Sequence, residues 1–447
     1  MSRLPLLGHT DPDQIVAWHL GRAITVARFL SDVDDLANQL PPGQHLLNMC
    51  ADRYRFTVGL AAALVSGKVS LLPSTHTPET IRQMQAFAPD VFCLHDALNC
   101  NIALPQFRYP EVPAAPGGDH AVPMIDSEQL VAVVFTSGST GTPVPHQKYW
   151  GPLVQSVLAE AERLGLTAAA RAHSVVGTVP PQHMYGFEST VLLPLLSGHA
   201  LSGAQPFYPA DIVAALDEVP VPRLLVSTPV HLRMLLDAEL KAPDVALILS
   251  ATAPLSLPLA HAVEAYFDAQ LQEIYGCTET GMIATRRSTQ TPAWRLFAGV
   301  KLSRDGDVVT ASGAHVSQPI VLNDVIELTQ DDEFLLHGRT AEMINIAGKR
   351  SSLAYLNHVL NSIDGVVDGA FYMPDETSPD HVIRLAACVV APALSAQHIL
   401  TALRAHLDPV FLPRPLLLVA ALPRNSTGKL PHDALKNLIQ AQLEGRP

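Results

Sequence analysis

At 447 residues with 48% hydrophobic content, the chain exceeds what one hydrophobic core usually organises, so two or three compact units are expected. Its 29 basic and 42 acidic residues leave a formal net charge of -13 with no lysine or arginine block, which removes the electrostatic footprint of a nucleic-acid partner. Five scattered cysteines (Cys50, Cys93, Cys100, Cys277, Cys388) contain no Cys-x-x-Cys pair and point to neither a zinc site nor a disulfide framework.

The N-terminus has too short an apolar run for a signal peptide. The apolar stretch 58–72 is interrupted by Gly67 and Lys68 before it could span a bilayer, so no transmembrane segment and a cytoplasmic location are expected. Apolar spacing predicts a helix over 13–40, then a short strand at 45–50, a small-residue helix over 55–66 closed by Gly67, and a strand at 69–73. A helix at 80–87 and a strand at 91–94 follow. Residues 99–128, rich in proline, glycine and acidic residues, read as an irregular connection. Strand and helix keep alternating to about residue 267, the pattern of an α/β domain with parallel strands flanked by helices. After Gly299, short alternating pieces around Asp305-Gly306 and Asp331-Asp332 suggest hairpins, and beyond Gly338-Arg339 the pattern becomes that of a small α+β unit. The expected division is 1–339 and 340–447.

One stretch organises this reading. The buried-strand run Val131-Ala132-Val133-Val134-Phe135 empties into Thr136-Ser137-Gly138-Ser139-Thr140-Gly141, a composition that lets backbone N–H groups and short hydroxyls wrap a polyphosphate. It lacks Walker A spacing, and it has a serine where the first glycine of a nucleophile elbow belongs. Four further stretches follow in order: Pro181-Gln182-His183-Met184-Tyr185-Gly186, Ile274-Tyr275-Gly276-Cys277-Thr278-Glu279, Asn323-Asp324 with Gly338-Arg339, and Pro423-Arg424-Asn425-Ser426-Thr427-Gly428-Lys429.

Together these stretches resemble the acyl-adenylate-forming ligases, the superfamily of acyl- and aryl-CoA synthetases, peptide-synthetase adenylation domains and luciferases. The resemblance runs from about Thr136 to Leu435. It implies a large multi-layer N-terminal domain, a small mobile C-terminal domain, and ATP and Mg2+ as cofactors. Joining a carboxylate to the α-phosphate of ATP brings two anions together, so such a site needs a metal and a cation to cancel charge. Glu279 is a hard oxygen ligand suited to magnesium, Thr278 can hydrogen-bond the α-phosphate, and the face of Tyr275 can pack on adenine beside Gly276. The turn containing Ala253 resembles the adenine-flanking turn of the family. The resemblance places Asp324 and Arg339 at the ribose, His183 and Tyr185 at the acid, and Lys429 as the catalytic lysine bridging carboxylate and nucleotide.

Each residue taken alone has a plainer alternative: Asp324 a turn residue, Arg339 and Lys429 surface charges, His183 a core histidine, Glu279 a helix-start carboxylate. The chain also departs from the family pattern. Pro143 is followed by Val144-Pro145-His146-Gln147 in place of Lys-Gly, leaving Lys148 as the nearest lysine, and Ala341 and Asn345 stand where the family usually has an Asp or Lys and a lysine. Abbreviated chains of this kind resemble short ligases found beside aryl polyene and xanthomonadin pigment genes. This implies a hydroxybenzoate-like acid loaded onto an acyl carrier protein, with free CoA as the alternative acceptor and a non-catalytic adenylate-binding module as the further alternative. Lys349, Arg350, Arg404, Arg414 and Arg424 are the candidate charges for docking an acidic carrier.

Overall fold

The structure, a computed structural model, describes the chain except residues 1, 74, 112–120, 138–142, 168–170, 307, 340–342, 347–348, 375–383, 426–427 and 445–447; at 137, 143, 339, 343, 345–346, 349–352 and 444 it describes the backbone alone. It is an α/β protein of stacked sheets and helices. Among the described residues, the largest sheet has eleven strands and a second has six. In the large sheet, strands Ile15–His19, Ala200–Ser202, Ser174–Gly177, Arg223–Ser227, Leu247–Ser250 and Gln270–Cys277 run parallel in that spatial order. Antiparallel strands Gly281–Arg286, Trp294–Leu296, Glu333–Arg339 and Asp324–Gln330 extend it on one side. The parallel strands are buried on both faces and read as near-continuous apolar runs, as at Leu224-Leu225-Val226.

The helix Arg53–Val65 lies between the two sheets and packs on strands of each. Nearly all of it is buried, which explains its run of alanine, valine and leucine without a polar face. Arg53, at its first turn, is itself fully buried. It donates to Thr190 Oγ1 (3.1 Å) and to the carbonyls of Gly177 and Val179 (2.9 Å each), and so fixes the chain leaving strand Ser174–Gly177.

Two expectations need correction. Residues 13–40 are a hairpin plus a helix rather than one helix. Ile15–His19 pairs with Arg22–Thr25 across a turn at Leu20 and Gly21, both at positive φ, and only Val26–Ala37 is helical, capped by Thr25 Oγ1 accepting from the Arg28 N–H at 3.2 Å. The apolar positions fit either period, and the β-branched Ile15, Val16, Ile24 and Thr25 decide for strand. The connection 99–128 is also less irregular than its composition suggests: Gln106–Arg108 and Met124–Asp126 are strands, the second paired with Arg3–Pro5.

From Ile344 onward the buried apolar residues form two further clusters, built on helices Leu353–Asn361, Ala396–Arg404 and His432–Glu444 and on the sheet Asp368–Tyr372, Ala386–Val390, Leu416–Leu418.

Candidate active site

In open parallel sheets, ligands gather beyond the carboxyl ends of the strands. Here those ends deliver Thr178, Ser227-Thr228, Ser250 to Ala253, and Gly276 to Glu279. Thr252 holds a φ of 79° without being glycine, and Ala253 beside it is half-buried. Strained backbone of this kind persists where surrounding structure over-determines it.

Glu279 sits in the turn of a β-hairpin, Gln270–Cys277 paired with Gly281–Arg286. This geometry rules out the helix-start reading. The turn is tied down from the neighbouring sheet. The strand Leu130–Ser137 pairs antiparallel with Pro143–Tyr149, so the six-residue stretch begun by Thr136 and Ser137 leads into the hairpin tip, while Gly138, Ser139, Thr140 and Gly141 lie outside the described residues. From the second strand, Lys148 Nζ donates to the Thr278 carbonyl and reaches the Glu279 carbonyl at 3.4 Å. Burial pushes the Lys148 ammonium down, opposed first by the buried Glu188. His146 Nε2 lies 3.0 Å from Thr136 Oγ1 and 3.5 Å from Glu279 Oε1, and burial lowers its pKa. Lys148 is thus a support of the Thr278-Glu279 backbone, a role that its position after the loop did not disclose.

Glu279 and Lys148 line a cleft of about 350 Å³ together with His146 and Gln147. Among the described residues there is no cluster of three histidine, cysteine or acidic side chains able to hold a metal alone. A single exposed carboxylate nevertheless fits Mg2+, which keeps waters and takes one or two carboxylates plus substrate phosphates.

Farther along the same sheet, Tyr275 is half-buried. Its hydroxyl donates to Asp324 Oδ2 at 2.7 Å, and its ring packs against Trp294 and Phe334 at centroid distances of 5.6 and 5.4 Å. Asp324 pairs in register with Arg339, which brings these two positions to one edge; the Arg339 side chain is not among those described. Gly276 must stay bare, because a Cβ there falls 2.2 Å from the Gly281 carbonyl oxygen.

On the other side, His183 precedes the short helix Met184–Gly186, which runs into a π-helix, Phe187–Leu192. Its Nδ1 is buried without a partner among the described residues, and burial, reinforced by the Lys429 charge, holds the imidazole down at about 4. His183 is therefore neutral at pH 7. Tyr185 is buried behind it. Lys429 is exposed and follows Gly428, whose φ of +78° turns the chain and whose hypothetical Cβ meets Val230 at 2.8 Å. That loop is braced internally: Asn425 Oδ1 accepts the Lys429 N–H (2.9 Å), and Arg424 grips Asp368 through two bonds (2.7 and 2.8 Å) and the Gly428 carbonyl at 3.0 Å. Arg424 is thereby engaged with Asp368 and the Gly428 carbonyl. Ala341 lies outside the described residues, and Asn345 contributes only its backbone, in the strand Met343–Ile346. Sequence reasoning overlooked Glu160, Glu188, Trp294 and Phe334, whose only signal was a charged or aromatic residue inside an apolar run.

A family model described as AMP-binding enzyme matches residues 9–306. The 4-coumarate–CoA ligase of Rhodobacter capsulatus is 32% identical over 307 residues, covering 68% of this chain and 75% of that one. The 4-coumarate–CoA ligase of Halorhodospira halophila is 31% identical, covering 70% and 78%. The solved structure of o-succinylbenzoate CoA synthetase (MenE) from Bacillus subtilis with its acyl-adenylate intermediate OSB-AMP superposes with a TM-score of 0.80 at 17% identity, over 98% of this chain and 99% of that one. ATP-bound MatB from Rhodopseudomonas palustris does so equally, with a TM-score of 0.80, 17% identity and 97% of each chain. At such identities the structures speak for the fold. The chain belongs to the AMP-binding enzyme family. It is an AMP-forming acid–thiol ligase.

Proposed function

We propose that this chain activates an aromatic acid bearing a ring hydroxyl as its acyl-adenylate and passes the acyl group to CoA. The observation that carries the reading is the hairpin turn that holds Glu279 at the end of the same sheet whose edge carries Asp324, with the Lys429 charge felt at the buried His183. The carboxylate oxygen attacks the α-phosphorus of ATP and pyrophosphate leaves; then a thiolate attacks the acyl carbon and AMP leaves. Lys429 offsets the charge of the two approaching anions in the first step. His183, neutral, closes the acid side without adding charge. Glu279 holds Mg2+, which supplies charge neutralisation at the phosphates when bound. Asp324 accepts from the ribose hydroxyls, and Arg339 stands opposite it.

The proposed units are 1–339, carrying nucleotide and acid sites, and 340–447, carrying Lys429, which turns away for the second step. Support for the aromatic acid comes from the 4-coumarate–CoA ligases among the relatives and from the aromatic character of 183–187. The same relatives favour CoA over a carrier protein, for which the engaged Arg424 offers less than the sequence suggested. The test is ATP–pyrophosphate exchange with a panel of aromatic and aliphatic acids, followed by thioester detection with CoA and with a carrier protein. Preference for long aliphatic acids counts against the aromatic assignment, and thioester only on a carrier protein counts against CoA.

A further inference from the structure

We infer that Cys93 and Cys100 form a reversible disulfide by exchange with a small disulfide such as oxidised glutathione, which makes the pair a redox modification site. Cys93 lies in the strand Phe92–His95 of the six-stranded sheet and is completely buried; Cys100, seven positions on, is half-buried in the connection that leaves that strand. Their sulfurs stand 3.9 Å apart. The approach is built from both sides. Cys93 is flanked in register by Leu47 on one neighbouring strand and by Gln106 on the other. The Gln106 side-chain amide donates to the carbonyls of Cys100 (2.8 Å) and Ile102 (3.0 Å), so the strand beside Cys93 also holds the connection that carries Cys100. At the start of that connection, Asp96 accepts from the backbone N–H groups of Ala51 (2.9 Å) and Asp52 (3.0 Å).

Between these anchors Ala97, Leu98 and Asn99 are exposed. A disulfide bond is about 2 Å long, so closing the pair takes about 2 Å of movement, and an exposed stretch of connection yields that far where two packed strands do not. The two thiols differ in the way that exchange requires, one entering and one resolving. Burial holds the Cys93 thiol well above its usual range and keeps it from a reagent in solution, so Cys100 is the point of entry. The Cys100 thiolate attacks one glutathione sulfur, the S–S bond breaks, and the first glutathione leaves as a thiolate that takes up the proton Cys100 released. Cys93 then attacks the Cys100 sulfur; the Cys100–glutathione bond breaks, and the second glutathione leaves with the Cys93 proton. Two protein thiols are oxidised and one glutathione disulfide is reduced. The second step gains from a sulfur already held against its target, which offsets the scarcity of the Cys93 thiolate.

Arg82 and Arg108 bound a tryptic peptide, 83–108, that holds both cysteines and no other. The full chain is incubated with oxidised glutathione, unfolded in iodoacetamide and digested, and this peptide is weighed by mass spectrometry. In the wild type it should carry no alkyl group and be lighter by two hydrogens than the reduced peptide, and dithiothreitol added before alkylation should restore both alkylation sites. Cys93→Ala should stop at a glutathione adduct on Cys100. Cys100→Ser should leave Cys93 alkylated and free of glutathione, and it keeps the core thiol in place should the alanine variant fail to fold. A wild type that retains a glutathione adduct on Cys100, or that leaves both cysteines open to alkylation, overturns the disulfide. Glutathione on Cys93 in the Cys100→Ser variant overturns the order of attack. Each of these outcomes leaves the ligase reading as it stands.

Discussion

The two short turns that carry Glu279 and Lys429 are held in different ways. The turn of Glu279 belongs to the large sheet and is braced from the second sheet by Lys148 and His146. The loop of Lys429 is braced by Arg424, Asp368 and Asn425, all within the C-terminal unit, and it meets the large unit at Val230 and beside His183. The carboxylate is thus built into the scaffold, whereas the lysine is a preassembled piece presented to it. A group needed throughout nucleotide binding suits the first arrangement, and a cation needed only while two anions meet suits the second.

The sharpest way to break this contrast is Lys429→Ala. Adenylate formation should fall by about 10²–10³-fold, the usual effect of removing one positioned donor from a developing anion. Thioester formation from supplied acyl-adenylate should change far less. Equal losses in both half-reactions of a folded variant would place the lysine in the scaffold class with Glu279. Next in size is Glu279→Gln, which keeps the shape and removes the charge. Exchange should drop by about a hundredfold at ordinary magnesium and recover in part with excess metal; unchanged magnesium dependence would remove Glu279 from the metal.

Lys148→Met sharpens the comparison from the supporting side. Taking away the bond to the Thr278 carbonyl should raise the magnesium needed for half-maximal exchange by about 10- to 100-fold, the range seen when groups that orient a metal ligand are lost. An unaltered magnesium titration would reduce Lys148 to a packing residue.

The smallest expected effect is a pH-dependent stability difference in the ligand-free protein. Burial raises the Glu160 carboxyl to about 8 in the folded chain, against the 4.5 of an ordinary glutamate. Between these values the folded chain binds more protons than the unfolded one, so stability is lost as pH rises through that window. Glu160→Gln removes this contribution. The Tm difference, variant minus wild type, should therefore grow from pH 5 to pH 8 by on the order of 2–4 °C. A difference flat across that range would mean that Glu160 is not held protonated by burial.

The alternating α/β order could be read from the chain because its signals are local: buried strands appear as apolar runs, just as the motifs appear as short strings of fixed residue types. The hairpin at 15–25 was misread because its apolar spacing satisfies both periods, and the deciding turn at Leu20 and Gly21 carries only one glycine as a sign. Lys148, Glu160 and Glu188 were silent for another reason. Their meaning lies in contacts across more than a hundred residues, as between Lys148 and Thr278, or between helices, as between Glu160 and Ser189. The Arg424 pair with Asp368 likewise joins positions 56 residues apart, so a charge that reads as free for docking is already in use.

The strand Pro143–Tyr149 reaches the Glu279 turn by register alone. His146 and Lys148, two residues apart, share the face that meets Glu279. The supporting cation is therefore delivered by a strand. Drift in hairpin-tip sequence or length leaves Lys148 in place, whereas one residue inserted between Pro143 and Lys148 turns the wrong face inward.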